Sequence, residues 1–343
     1  MIGLSEVDAV DTKQKLLALL QEKQGSYVSG EEIAKTLSVT RTAIWKVVHR
    51  LRDEGYRIDA APNKGYRLPA DTDILSVEGI RKHLQPVCTN LTLTAVNQVE
   101  STNTIVREKA AAGAPEGYAV IANSQTGGKG RMGRRFFSPS DTGLYISLLL
   151  RPVEYPAQQA VQITTMAAVA ASEAIESVSG EKAGIKWVND VYLRGKKVCG
   201  ILTEASFGLE SGVIDYAVLG IGVNVYPPQG GFPEELNDIA GTVLGSVQKD
   251  GKNRLAAAFF NRFMEYYTAA DSAGYVDEYR SRSLAIGREV TVLFPGRPQN
   301  ALALDVDGQC RLLVQYPDGS TERLSSGEIS IRLHDKEYPI EKH

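Results

Sequence analysis

The sequence is short of the side chains that most often carry covalent or metal chemistry. It has four histidines, His49, His83, His334 and His343, and none of them lies between Leu84 and Leu333. That argues against a Ser–His or Cys–His nucleophile anywhere in this long block. Cysteine is as scarce: Cys88, Cys199 and Cys310 are odd in number and far apart. Such a set forms neither a disulfide framework nor a zinc spacing, and it points to a reducing cytoplasm. No cluster of metal ligands is visible. No apolar run approaches the ~20 residues of a membrane span. Met1 to Asp11 carries acids and lacks the apolar core of a signal peptide. Long-period repeats and low-complexity tracts are missing too. What is left is an ordinary soluble composition of 343 residues, 43% hydrophobic and 23% charged. That is enough chain for two or three domains with their own cores.

One stretch stands out. Tyr118 to Ala122 is an apolar run that reads as a buried strand, and it opens into a loop holding Gly127, Gly128, Gly130 and Gly133. Lys129, Arg131, Arg134 and Arg135 put four cations within seven residues of that loop. They repel one another unless an anion lies among them, and Arg grips phosphate or carboxylate with two parallel bonds. A solvated basic loop would not need the glycines, which allow close backbone approach to a ligand. Gly128 to Gly133 spells G-x-G-x-x-G, but a dinucleotide site needs a helix to start there. Here Phe136-Phe137-Ser138-Pro139 leads to a second apolar run, Gly143 to Leu150. The order is strand–loop–strand, so the cations themselves bind the anion.

Residues 1–70 read as a separate DNA-binding head. Thr12 to Lys23 has a leucine-lined helical face. Ser29 and Glu32 form a capping box for a second helix, and Thr40 caps a third that runs to about Glu54. Ala43, Ile44, Val47, Val48 and Leu51 make the buried face of that third helix. Short strands follow near Tyr56 to Asp59 and Gly65 to Leu68. This is the order of a winged helix-turn-helix, with the motif spanning Glu31 to Arg50. Residues 41–67 carry seven Lys/Arg against Asp53, Glu54 and Asp59, a net of +4, whereas the whole chain is −3. A basic face on an acidic chain points to nucleic acid. Arg41, Thr42, Lys46 and Arg50 are the candidate DNA contacts. Trp45 fits a thymine contact or partial burial equally well.

Beyond a polar linker at 69–77, Leu91 to Val99 alternates as a strand, and Ser101-Thr102-Asn103 precede a helix over Thr104 to Ala112. These polar residues either cap that helix or hold a polar ligand. Gln158 to Ile175 is an Ala-rich core helix. Lys186 sits in a short apolar strand, where it needs either Asp190 as a partner or a reacting anion to neutralise. Val218 to Val225 is a strand interrupted by Gly220 and Gly222, a sign of close approach. Arg254 to Tyr279 adds helices. Val290 to Phe294, Asn300 to Val306, Cys310 to Gln315, Thr321 to Leu324 and Ile329 to Leu333 are short strands parted by Pro-Gly and Asp-Gly turns. They suggest a small barrel. A proline-peptide binder would need more aromatics there than Phe294 and Tyr316.

The basic loop resembles the ligand loop of the biotin protein ligases, G-R-G-R-x-G-R-x-W-x-S-P, with Lys129 in place of Arg and Phe136 in place of Trp. Four further motifs follow the family's order. Ser101-Thr102-Asn103 resembles S-T-N. Lys186 to Asp190 resembles K-W-P-N-D, with Val188 in place of Pro. Lys197 to Leu202 with Glu204 resembles K-x-x-G-I-L-x-E, and Gly220 to Asn224 resembles G-x-G-x-N. With the winged helix ahead of them, the chain resembles the bifunctional type that also represses a biotin operon.

The resemblance implies an α+β, multi-domain fold. It consists of a winged helix-turn-helix at 1–70, a mixed β-sheet catalytic domain with helices at 76–283, and an SH3-like barrel at 284–337, whose last strand begins at Gly327. It implies biotin, ATP and Mg²⁺. Biotinyl-5′-AMP forms first, and the biotinyl group then passes to a lysine of the biotin carboxyl carrier protein of acetyl-CoA carboxylase. By resemblance Ser101, Thr102, Asn103, Gln125, Lys129, Gly130, Arg131 and Lys186 hold biotin, with Lys186 and Arg131 also the catalytic cations. Arg134, Phe136, Asn189, Lys197 and Gly220 are then assigned to ATP or the adenylate. Operator DNA and a homodimer formed with the adenylate are the expected partners, in the cytoplasm and away from membrane. A lipoate or octanoate ligase is the enzymatic alternative, and a biotin-sensing repressor without activity is the non-enzymatic one.

Overall fold

The computed structural model describes residues 6–53, 56–70, 72–152, 156, 160–208, 213–269, 273–294, 297–325 and 328–331. The expected end of the third helix at Glu54, the Pro295-Gly296 turn, Gly327, the end of the last strand at Leu333 and the boundary at 337 lie outside the described residues.

The head forms around leucine, isoleucine and valine faces that pack into a small core of their own. Helix α1 (Glu6–Glu22) starts earlier than its leucine pattern suggests. Helix α2 (Gly30–Thr36) opens at Ser29, whose hydroxyl accepts from Glu32 N at 3.1 Å. The Glu32 carboxylate turns instead to Lys23, so half of the capping box forms. Thr40 caps α3 (Arg41–Asp53) through Ala43 N. Ile44, Val47, Val48 and Leu51 bury against Leu16, Leu20 and Ile33. The wing is a hairpin of β1 (Asp59–Ala61) and β2 (Gly65–Arg67). Its first strand begins later than expected, because Ile58 is drawn into the core and its carbonyl accepts from Arg52 Nε at 2.9 Å. After the linker comes a short helix, α4 (Val77–Arg81), which periodicity over so few residues did not reveal; Ser76 caps it.

The central sheet has seven strands: β3 (Thr92–Val99), β4 (Tyr118–Gln125), β5 (Gly143–Leu150), β6 (Gly184–Lys186), β7 (Asp190–Leu193), β8 (Lys196–Phe207) and β9 (Ile214–Asn224). Their order is β3-β4-β5-β9-β8-β7-β6. Strands β3 and β4 are parallel, joined by helix α5 (Thr102–Ala111), and the other pairs are antiparallel. The sheet's two faces differ. Helices α6 (Ala160–Ser179), α7 (Gly251–Thr268) and α8 (Ala273–Ser281) belong to the large core with Leu219, Ile221 and Val223 of β9. The alternate residue Val218 packs under α5 with Val106 and Ala110. Further along that second face the side chains run out into glycine, and this is where the cavity lies.

Strands β10 (Glu289–Phe294), β11 (Arg297–Val306), β12 (Leu312–Gln315), β13 (Thr321–Leu324) and β14 (Glu328–Ile331) form a five-stranded antiparallel sheet in the order β13-β12-β11-β10-β14. It shares the large core, through Val290, Val292, Ala303 and Val314. The Trp187 indole donates to Cys310 O at 3.0 Å across this junction.

Candidate active site

Strand pairing explains where the cavity sits. Gly200 of β8 lies opposite Gly222 of β9, and Gly220 lies opposite Ser147 of β5. Three side chains are therefore missing from neighbouring positions on one face. The Phe136 ring rests on the bare patch. A β-carbon at Gly222 would come within 2.6 Å of that ring, and one at Gly200 within 3.0 Å. A β-carbon at Gly220 would collide with the Asn103 side chain. The strand-breaking glycines are therefore a floor, shaped for a ring and an amide to lie flat.

The cavity above that floor is about 320 Å³. One wall is neutral and rich in hydrogen-bonding groups. Ser101 precedes α5 but its side chain makes no cap; Gln125 Oε1 does that work instead, accepting from Thr102 N at 2.9 Å and Thr102 Oγ1 at 3.1 Å. Ser147 Oγ, wholly buried, bridges Thr102 Oγ1 and Asn103 Oδ1 at 2.7 and 2.6 Å. Asn103 Nδ2 in turn donates to Glu204 at 2.7 Å. This lattice fixes Thr102, Asn103 and Gln125 before any ligand arrives.

The other wall is cationic. The basic loop folds on itself: Gly130 N donates to Arg134 O at 2.7 Å, and Phe136 N to Gly128 O at 3.0 Å. A single turn at Arg131–Gly133 leaves Met132 at its tip with a left-handed φ of 54°, 75% exposed. Arg131 reaches back to Asn189 Oδ1 at 3.1 Å, and Lys129 Nζ donates to Thr104 Oγ1 at 3.2 Å. Lys197 Nζ lies 2.7 Å from Asp190 Oδ1. Lys129, Arg131, Arg134, Arg135 and Lys197 all line the same cavity. Phe137 and Phe232 meet edge to face at its rim, 6.2 Å between centroids. The Cys199 thiol, on the opposite face of β8, is pushed up by burial and stays protonated, so it offers no nucleophile.

Most residues expected at the site meet here: Ser101, Thr102, Asn103, Gln125, Lys129, Gly130, Arg131, Arg134, Phe136, Asn189, Lys197 and Gly220. Lys186 does not line the cavity. It ends β6, the outermost strand, and pairs across to Asp190, which stands between it and β8. Sequence reasoning had treated Asp190 as Lys186's companion and missed it as a lining residue. It also missed Ser147, for which a lone polar residue inside GLYISLLL was the signal. Phe232, Leu236 and Ile239 come from an irregular segment without a periodic pattern.

Comparison with known proteins fits this arrangement. The Biotin/lipoate A/B protein ligase family model matches residues 95–224, an HTH domain model matches 12–67, and a Biotin protein ligase C terminal domain model matches 285–332. The bifunctional ligase/repressor BirA of Bacillus spizizenii is 33% identical over 325 residues, covering 93% of this chain and 98% of that protein. The chain belongs to the bifunctional ligase/repressor family. Its counterpart in Escherichia coli is 29% identical over 94% of the chain. Among solved structures, the biotin protein ligase of Aquifex aeolicus in complex with biotin and ATP matches with a TM-score of 0.59 and 28% identity, over 70% of this chain and 98% of that one. The bifunctional ligase is thus a ligase core carrying a helix-turn-helix ahead of it. In the head of this bifunctional ligase, Arg41, Thr42, Lys46 and Arg50 all lie on the exposed face of α3, beside Trp45, which is 52% exposed. Among the described residues no helix is long and apolar enough to cross a membrane.

Proposed function

We propose that the cavity joins biotin to ATP and then delivers the biotinyl group to a lysine of the biotin carboxyl carrier protein of acetyl-CoA carboxylase. The observation that carries this is one glycine-floored cavity with a neutral hydrogen-bonding wall and a cationic wall. A ureido ring presents one carbonyl and two N–H groups, and Thr102, Asn103, Gln125 and Ser101 offer donors and acceptors in kind. Lipoate and octanoate have no such head, so this lattice favours biotin. The carboxylate of biotin attacks the α-phosphorus of ATP, the bond to the bridging oxygen breaks, and pyrophosphate leaves. The acceptor lysine, as a free amine, then attacks the acyl carbon and AMP departs. Both steps gather negative charge on phosphate oxygens, where Arg131, Lys129 and Lys197 stabilise it. Lys197 takes the central place because it lines the cavity, with Lys186 supporting Asp190 from the next strand. Arg134 serves the phosphates, Asn189 steadies Arg131, and Phe136 supports the ligand from the glycine floor.

Among the described residues no group of three or more His, Cys, Asp or Glu converges on a metal. Asp190 is the carboxylate on the cavity wall among them. That suits Mg²⁺, which keeps most of its waters and binds through substrate phosphates and one or two carboxylates. When bound it would neutralise phosphate charge.

Biotin-dependent ATP–pyrophosphate exchange tests the reading. Exchange with biotin is expected; exchange only with lipoate or octanoate would move the substrate. A graded check uses the floor. Gly222→Ala sets a methyl against Phe136 and lifts the ring into the cavity. The KM for ATP should rise about tenfold, from ~1–3 kcal/mol of overpacking, and a KM unchanged in steady-state kinetics would remove Phe136 and the floor from the adenylate site.

The head is proposed to bind operator DNA with α3 in the major groove, as a homodimer formed with the adenylate, so that two heads meet two half-sites. Cytoplasmic location and the division at 1–70, 76–283 and 284–337 belong to the same reading. Arg41→Ala and Lys46→Ala should each weaken binding to all sequences and lower the slope of log K against log salt by about one. Titrations at several salt concentrations that left the slope unchanged would take α3 off the phosphates.

A further inference from the structure

The ligand loop and the DNA-binding head are joined through an interior polar chain that the chemistry above does not use. Lys252, the second residue of α7, is 1% exposed. Its ammonium donates to Asn123 Oδ1 at 2.6 Å. Asn123 Nδ2 donates to Asp141 Oδ1 at 2.8 Å and to Asn97 Oδ1 at 3.1 Å. Asn123 lies two residues before Gln125, at the entrance to the ligand loop, and Asp141 lies at its exit. The pair therefore pinches the neck of the loop.

The same lysine is tied to the linker. Its backbone N–H donates to Asp73 Oδ2 at 2.7 Å, and the Tyr226 hydroxyl donates to that oxygen at 2.7 Å as well. The backbone N–H of Tyr226 donates to Thr142 O, again at the loop's exit, at 2.8 Å. Next along α7, Asn253 accepts from Ser76 N at 3.0 Å and donates to Ile74 O at 2.6 Å. Gln21 of α1, in the head, donates to the same Ile74 carbonyl at 3.0 Å. Asp73, Asn123, Asn253 and Gln21 are each less than a tenth exposed. Burial pushes the Lys252 ammonium down and the Asp73 carboxyl up, each opposed by the other's charge. A small cavity of about 140 Å³ sits at this junction, lined in part by Tyr56, Asp73, Asn123 and Asp141. Bonds this numerous and this dry are costly to break singly, so the parts they join move together.

We propose that this chain fastens the posture of the DNA-binding head to the neck of the ligand loop, so that occupancy of the loop is read out as operator affinity. The inference rests on the adenylate-coupled repressor reading and gives that coupling a route. A ligand that orders the loop fixes Asn123, Asp141 and Thr142; these fix Lys252 and Tyr226, and so Asp73 and the linker. By linkage, operator DNA must raise ligand affinity by the same factor that ligand raises operator affinity.

The test compares the full chain with Asp73→Ala, which removes the shared acceptor, and Asp73→Asn, which keeps a carbonyl oxygen there. Operator affinity is measured with and without biotin plus ATP, alongside pyrophosphate exchange and sedimentation. In the parent a gain of about 5–150-fold is expected, the usual range of such coupling. Asp73→Ala should exchange and dimerise like the parent while its gain falls severalfold, to the part that dimerisation alone supplies; Asp73→Asn should regain most of the difference. Lys252→Met, cut on the other side of the chain, should lose the same part of the gain, and it decides the matter if Asp73→Ala does not fold. A parental gain in both Asp73→Ala and Lys252→Met overturns the route but leaves the repressor reading standing. A gain lost together with dimerisation also overturns it, since the chain would then act on the dimer surface. No gain in the parent overturns the route and the coupled repressor reading together.

Discussion

Lys197→Met should cut biotin-dependent ATP–pyrophosphate exchange by about 10²–10³-fold, the usual consequence of removing one preorganised charge from a phosphoryl or acyl transition state. The side chain is only 28% exposed and its ammonium is held 2.7 Å from Asp190. In that position it costs no reorganisation when the carboxylate and triphosphate arrive, and its partner Asp190 keeps it from bending into the bulk. The Met side chain keeps the length and apolar stem, so the floor under it stays intact. Lys186→Met should lower exchange far less, about tenfold at most, because Lys186 ends the edge strand β6, does not line the cavity and acts on it only through Asp190, and so indirect a charge effect is worth about 1 kcal/mol. Measuring both variants by exchange, with biotin binding followed separately, distinguishes the assignments. Loss in Lys186→Met with retention in Lys197→Met would return the catalytic charge to β6 and require Lys186 to reach past Asp190.

How legible this site was in the sequence depends on the kind of feature concerned. The basic loop announced itself through charge density and glycine, because neither has a packing explanation on a strand–loop–strand segment. The strands Gly143–Leu150 and Thr321–Leu324 came out to the residue, since apolar runs bounded by turn residues leave little choice. The choice between Lys186 and Lys197 was different. Both sit at strand ends within a dozen residues of each other, Lys186 closing β6 and Lys197 near the start of β8, and local pattern cannot say which strand lies at the sheet's edge. Only the order β9-β8-β7-β6 does so. The glycine floor was half visible. Glycine within a strand signalled close approach, but Gly200 opposite Gly222 is a matter of register between segments twenty residues apart. The half-formed capping box at Ser29 failed for a similar reason: Glu32 found Lys23, in the turn just past α1, a competitor that the motif does not contain. The buried Lys252 was hidden because it precedes the expected helical stretch, which begins at Arg254 whereas α7 begins at Gly251, and nothing local shows that Asp73 and Asn123 converge on it.

Gly65→Ala should abolish operator binding while sparing ligase chemistry. Gly65 opens β2 with a left-handed φ of 99°, a conformation glycine adopts without strain and alanine does not. Space is short as well. A β-carbon there would run into the Val28 carbonyl oxygen and come within 2.7 Å of Ser29 Cα. Both are backbone, so no rotamer change can relieve them. Val28 also pairs with Tyr66 in both directions, Val28 N to Tyr66 O at 2.8 Å and Tyr66 N to Val28 O at 2.9 Å. Pushing the wing off Val28 therefore breaks two hydrogen bonds and shifts Ser29, the cap of α2. Strain and lost bonds together amount to about 3–5 kcal/mol, in the range reached only by disruptive substitutions. The head has its own small core, formed by residues such as Leu16, Ile33, Ile44 and Leu51, and a loss of that size is a large share of what so small a unit holds. The large core that carries the glycine floor includes none of these residues. Calorimetry should therefore show the head unfolding earlier, in a transition separate from the rest, with gel-shift binding lost and pyrophosphate exchange retained. A single transition with exchange lost at the same temperature would mean instead that the head and ligase fold as one unit, held together through Gln21, Ile74 and Asn253.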